Sequence, residues 1–250
     1  MSEPAVPVWQ YRCRVCYGEA NRDGLLKLRA LADYFQEAAA HHADNLGVGL
    51  NALGEAGMLW VLSRMGIEIS RLPEVDEEVV LETWPRRGNS PLFAMREFVL
   101  RDSGGGILVR ATSAWLLLDG AAFRPRRVSM LPVVLPENQK QAFLYRQLEE
   151  VADFQGEACF LDQIRESRID VNRHLNNAEY FSWLEDCAAE NGLSIGRLHR
   201  VFINFVHELR LGETVEIGAR LNAGSGALNV AGIRMPDGRK IFKAALDFEK

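Results

Sequence analysis

The sequence predicts an α+β protein that contains one unit twice: an antiparallel sheet wrapped around a long central helix. Two observations carry that expectation. Two stretches place apolar residues at helical spacing, each led in by a short extended segment and followed by strand-like runs. Between the two sets lies a charged stretch poor in strand formers. A sheet with one apolar face needs a cover, and a long helix laid on it supplies one.

In the first copy, Tyr11 to Glu19 is extended and NRDG is a polar turn. Leu28, Leu31, Ala32, Phe35, Ala38, Ala39 and His42 then recur at helical spacing, and the helix is expected to stop near Gly47. GMLWVLSRMGIEI, EEVVLETWPRR, LFAMREFVLRD and ILVRATSAWLLLD read as strands, with DSGGG as a hairpin turn. Residues 1–135 form the first expected domain, and the helix-favouring stretch at 136–158 forms the connection. Residues 159–250 repeat the plan. CFLDQIRES is extended, IDVNRHLNN is polar and AEYFSWLEDCAAENG is amphipathic. Strand-like RVFINFVHELRL, ETVEIGARLN, LNVAGIRM and KIFKAALDFE follow. Sliding the halves by 146 positions lays Tyr34-Phe35 on Tyr180-Phe181. A period this long indicates duplicated domains, and two such units side by side can share one continuous sheet.

The totals suit an ordinary globular chain: 250 residues, 48% hydrophobic, 25% charged, formal net charge −5. The acidic balance argues against general nucleic-acid binding. No window reaches the ~20 apolar residues that span a bilayer, and the opening residues lack a signal-peptide pattern, so no membrane insertion and a cytoplasmic location are expected. Cys13 and Cys16 form a lone CRVC on a strand-like stretch with no second pair to complete a zinc site, and the four cysteines read as free thiols. His41 and His42 lack accompanying carboxylates at ligand spacing, so no metal is expected.

The polar set in IDVNRHLNN separates the copies. At the 146 offset, Asp170 falls on Gly24, Asn172 on Leu26, His174 on Leu28, Asn176 on Ala30 and Asn177 on Leu31. Both helices need their first turns satisfied, so capping alone does not explain an addition confined to one copy. Asn176 or Asn177 suits a cap. Asp170, Asn172 and His174 alternate along a stretch read as extended, which would point all three to one face.

DVNRHLNNAEYFSWLED resembles the active-site signature of the acyl-acyl carrier protein thioesterases, and LADYFQEAAAHHADNLGVG, GMLWVLSRMGIEISRLP, ETWPRR and FRPRR are similar to other stretches of that family. The similarity covers most of the chain from Trp9 onward. It implies a tandem (double) hotdog, two antiparallel sheets each wrapped around a long central helix. It also implies a catalytic set of Asp170, Asn172, His174 and Glu208, and an acyl-chain pocket in the N-terminal domain. Plant relatives often place Cys after that Glu where this chain has Leu209, so a cysteine nucleophile is not available there.

The chemistry fits that resemblance. A thioester carbonyl needs an activated water or carboxylate to attack it, and donors for the developing oxyanion. Asp170 or Glu208 serves as base or nucleophile, Asn172 orients, and His174 polarises the thioester or places the water. N–H groups near Asn177 at the start of the second helix are oxyanion donors. Asn176, Asn177, Trp60 and Phe35 are the expected substrate contacts. Acyl carrier protein is acidic and coenzyme A carries phosphates, so arginines should mark the entrance, Arg124, Arg126 and Arg127 being the densest group. The expected activity is hydrolysis of acyl-acyl carrier protein to free fatty acid, ending chain elongation, with no cofactor. An acyl-coenzyme A thioesterase and a non-catalytic acyl-thioester binder are the alternatives, and a homodimer is compatible with the fold.

Overall fold

The computed structural model describes residues 5–249 except positions 89, 137, 139, 144–147, 149, 155, 223 and 225. The first copy runs β1 (Trp9–Arg14), α1 (Leu28–Asn45), α2 (Leu50–Glu55), β2 (Met58–Ile69), β3 (Glu78–Arg87), β4 (Phe93–Asp102), β5 (Ile107–Asp119) and the short β6 (Pro125–Arg126). The second runs β7 (Glu157–Gln163), α3 (Glu179–Glu190), β8 (Leu198–Phe205), β9 (Thr214–Asn222), β10 (Ala227–Met235) and β11 (Lys240–Phe248). α1 ends where the sequence places its stop, with Gly47 supplying the left-handed residue just beyond the helix at φ +72°. The described residues of the 136–158 connection form no helix, and β7 already begins at Glu157.

The strands form one continuous antiparallel sheet, ordered β1-β3-β4-β5-β2-β8-β11-β10-β9-β7, with β6 on β5. The two sheets expected of the two units are thus joined into the one continuous sheet that such units can share. β2 and β8 pair directly, with Arg64 opposite Asn204, Gly66 opposite Phe202 and Glu68 opposite Arg200. Each copy would otherwise leave an unpaired strand edge there, and joining the two satisfies both rows of backbone groups.

The true register of the duplication also differs from 146. Asn21 N–H bonds Leu25 O and Gly24 N–H bonds Asn21 O, while Asp170 N–H bonds His174 O and Arg173 N–H bonds Asp170 O. Val15 N–H bonds Glu77 O, and Ile164 N–H bonds Glu213 O. Up to the helices the copies are therefore 149 positions apart, and from the strands after them 136. The first copy spends the difference on a longer α1 and on α2. Tyr34 lies on Trp183, not on Tyr180. The Tyr-Phe pair recurs in sequence without occupying the same place.

Both helices cover one face of the sheet in a shared core. Phe35 meets Phe98 at 4.8 Å between centroids, and Tyr180 and Trp183 pack on Phe242. Burying each such ring contributes roughly 2–3 kcal/mol. The connection crosses the opposite face. Glu97, which alternates with Phe98, is wholly buried and accepts the N–H groups of Ala142 and Phe143 at 3.0 and 3.2 Å. Arg86 and the Thr112 hydroxyl complete its partners. Gly66 leaves room for this strap, since a Cβ there would come within 2.7 Å of Leu148 and Phe143. Among the described residues no helix is long and apolar enough to cross a membrane.

Candidate active site

The polar set sits on a turn that feeds α3. Asp170, Asn172 and His174 do not alternate along a strand as expected. The chain reverses over these residues, and the reversal is what gathers them. Asp170 Oδ1 accepts the Asn172 N–H at 2.8 Å and the His174 N–H at 3.4 Å, an aspartate-closed turn. Arg173 takes φ +65° to complete it, a left-handed conformation that the first copy assigns to Gly24.

The first copy builds the same turn on Asn21, whose Oδ1 accepts the Asp23 and Leu25 N–H groups at 2.9 and 3.1 Å. An amide therefore suffices to close it. The position is polar in both copies, which corrects the reading from the 146 offset. What the second copy adds at 170 is charge: a second carboxylate oxygen, Oδ2, whose one hydrogen-bond partner among the described residues is the Asn172 side-chain amide at 3.4 Å.

Glu208 follows β8 and reaches the same turn. Its Oε2 stands 3.0 Å from His174 Nε2, and Arg210 Nη2 holds its Oε1 at 2.6 Å. The equivalents of His174 and Glu208 in the first copy are Leu25 and Leu72, so the histidine–carboxylate pair belongs to one copy alone. The site is open to water, the His174 side chain being 27% exposed and that of Glu208 44%. Tyr180 lies beneath, its phenol pushed far up by burial and then by the charges of Glu208, Glu213 and Asp170. Leu209 is fully buried, and its carbonyl takes the Leu175 N–H.

Asn176 closes the turn that leads into α3, whose own N-cap residue, Ala178, makes no side-chain cap bond. Asn176 Oδ1 accepts the Ala178 N–H at 2.9 Å and its carbonyl the Glu179 N–H. Asn177 instead lines a cleft of about 310 Å³, its open mouth included, together with Ala178 and Phe181 from the second copy. Phe35, Gln36, Leu62, Met65 and Trp115 wall it from the first. Phe35 and Asn177 thus meet at one cavity. Trp60 stands apart from it, donating to Val48 O at 3.0 Å and packing in a separate cluster beyond the end of α1. Arg126 is tied to Asp119, whereas Arg124 and Arg127 are exposed with no ion pair among the described residues. The registers of β2, β5 and β8 put these arginines and Glu208 at the same end of the sheet.

Residues 7–131 match the family model for the acyl-ACP thioesterase N-terminal domain, and residues 160–250 match that for the C-terminal domain. The chain belongs to the acyl-ACP thioesterase family. Among members of this family, it is 24% identical over 207 residues to the chloroplastic oleoyl-acyl carrier protein thioesterase 1 of Arabidopsis thaliana, covering 76% of this chain and 57% of that one. It spans about half the length of the curated relatives it matches. The fold is similar to that of an acyl-ACP thioesterase from Bacteroides thetaiotaomicron, with TM-score 0.85 at 20% identity over 97% of this chain and 98% of that one. It is also similar to a putative oleoyl thioesterase from Lactobacillus plantarum, with TM-score 0.77 at 25% identity over 97% of each chain. Two contributions to the site of this acyl-ACP thioesterase family member escape a reading of the motif alone. Arg210 stands only two residues after Glu208 but outside the motif, and Gln36 carries no local pattern, so only the folded chain brings it to the cleft.

Proposed function

We propose that this chain hydrolyses acyl thioesters carried on acyl carrier protein, releasing free fatty acid and so ending chain elongation. The observation that supports the reading is the Asp170–His174–Glu208 cluster, complete in one copy, on the turn that leads directly to Asn177 at a largely apolar cleft walled by both copies. The two halves are read as hotdog units whose sheets have merged, the first for the acyl chain and the second for the chemistry.

The hydrogen bonds sort the two carboxylates. Both oxygens of Glu208 are engaged, by His174 and by Arg210, so Glu208 fixes the imidazole through Nε2–H. Asp170 spends Oδ1 on the turn and keeps Oδ2 for a water, which Asn172 helps to place. Asp170 Oδ2 takes a proton from that water as its oxygen bonds the thioester carbon. The carbonyl oxygen, now negative, is stabilised by the Asn177 N–H at the positive end of α3. As the C–S bond breaks, the His174 imidazole gives a proton from Nδ1 to the leaving sulfur. The Asp170 proton then returns to the imidazole through solvent.

Arg124 and Arg127 supply the positive charge that an acidic carrier requires. The test compares hydrolysis of one acyl chain on acyl carrier protein and on coenzyme A by the wild type and by Arg124→Glu/Arg127→Glu. The expected result is a higher kcat/KM on the carrier protein, lowered about tenfold or more by charge reversal, with the gap between wild type and variant narrowing as salt is raised. Preference for coenzyme A overturns the carrier assignment, and absence of turnover on both overturns the hydrolase reading.

A further inference from the structure

The two-fold relation between the copies sets corresponding residues face to face across α1 and α3. Leu28 opens α1 as Asn177 leads into α3, and Gln36 and Glu185 occupy one equivalent place farther along each helix. The Leu28 N–H is met by Glu185 Oε1 at 2.9 Å. By the same symmetry the side chain presented to Asn177 is Gln36, and both line the cleft. The chain thus places a carboxylate opposite the helix start of the copy without the histidine pair, and a neutral amide opposite that of the copy with it. The difference has a chemical consequence. A carboxylate occupies the N–H and repels a developing oxyanion, whereas an amide adds an N–H donor of its own. Burial pushes the Glu185 carboxyl up to about 7, against the pull of the Leu28 N–H, as suits a group enclosed between two helices.

We propose that Gln36 is a carbonyl-binding residue: its side-chain amide and the Asn177 N–H together hold the thioester oxygen, while Glu185 closes the corresponding place in the first copy and leaves one working site. The inference rests on the hydrolase reading above and adds to it a residue contributed by the opposite copy.

The test follows kcat, KM and the thermal transition of the full chain for wild type, Gln36→Ala, Gln36→Glu and Glu185→Gln on an acyl-acyl carrier protein. Gln36→Ala is expected to lower kcat about a hundredfold with KM within threefold, as loss of a transition-state donor requires. Gln36→Glu should regain activity relative to wild type as pH falls from 8 to 6 and its carboxylate takes a proton. Glu185→Gln should keep wild-type kcat. Binding gives a readout that needs no turnover. Wild type should prefer an amide-linked acyl pantetheine, which keeps the carbonyl, over a thioether-linked one, and folded Gln36→Ala should narrow that preference about tenfold. A folded Gln36→Ala with wild-type kcat and an unchanged binding preference overturns the role of Gln36 and leaves hydrolysis standing. A wild type that turns over no thioester fails the hydrolase reading, and the carbonyl assignment falls with it.

Discussion

At Asp170, turn closure and chemistry are separable, because Asn21 closes the same turn in the first copy with an amide. Asp170→Asn should therefore keep the thermal transition within one or two degrees yet lower kcat by about a hundredfold or more, the loss expected when a general base is removed. A large fall in stability would show that the carboxylate serves the turn. The motif was legible in the sequence because a run of Asp, Asn and His at the mouth of an apolar helix has few other uses. Its geometry was not. Alternation along an extended segment and a tight reversal both put residues 170, 172 and 174 together, and the left-handed Arg173 and the bonds to Asp170 Oδ1 tell them apart.

His42 offers a second test at this scale. It is wholly buried between Val6 O and Arg96, and burial, opposed by the Val6 bond and aided by the arginine charge, lowers its pKa to about 4. Between pH 6.5 and 4 the unfolded chain holds a proton on His42 that the folded chain does not, so its contribution to stability falls as pH falls. The loss is on the order of 2–3 kcal/mol. Glu185, raised to about 7, works in the opposite direction over part of that window, binding a proton in the folded chain first. The informative quantity is therefore the difference between wild type and His42→Gln in denaturant titrations. It should shrink by that amount from pH 7 to pH 4, and a constant difference would contradict the assignment.

At the scale of elements, the helices and most strands were legible because apolar periodicity sets them. The connection was not, because it forms no helix over its described residues and is held by a side chain far away in sequence. Glu97 is buried beneath the strap and bonds Arg86, Thr112 and the Ala142 and Phe143 N–H groups. Glu97→Ala leaves a guanidinium and two backbone donors without their acceptor. It should cost on the order of 3 kcal/mol or more in denaturant unfolding. A cost under ~1 kcal/mol would mean that the packing of Phe143 and Leu148 and the bonds to Arg64 and Asn204 hold the strap without Glu97. Cross-helix contacts such as Leu28 with Glu185 and Arg29 with Glu179 were equally hidden, since they follow from how the copies face each other.

For the whole molecule, the duplication was visible in the recurring pattern, but the matching Tyr-Phe pairs drew its register to 146, where the turns require 149. The register matters for function: it pairs Gln36 with Glu185, and the His174–Glu208 pair with Leu25 and Leu72. Because β2 pairs with β8, and the strap bonds Arg64 of one copy and Asn204 of the other, neither copy has a complete boundary of its own. Calorimetry should show a single transition with equal calorimetric and van't Hoff enthalpies. Two resolved transitions would show that the copies unfold as separate bodies.

Thiol release from a purified long-chain acyl-acyl carrier protein, followed for wild type beside folded His174→Ala and Glu208→Gln, tests the catalytic role of the His174–Glu208 pair most directly. The expected result is multiple turnovers by wild type, with free fatty acid equal to free thiol, and losses of about a hundredfold or more in both variants. Binding of the substrate without release of thiol, or equal rates in all three proteins, would contradict it.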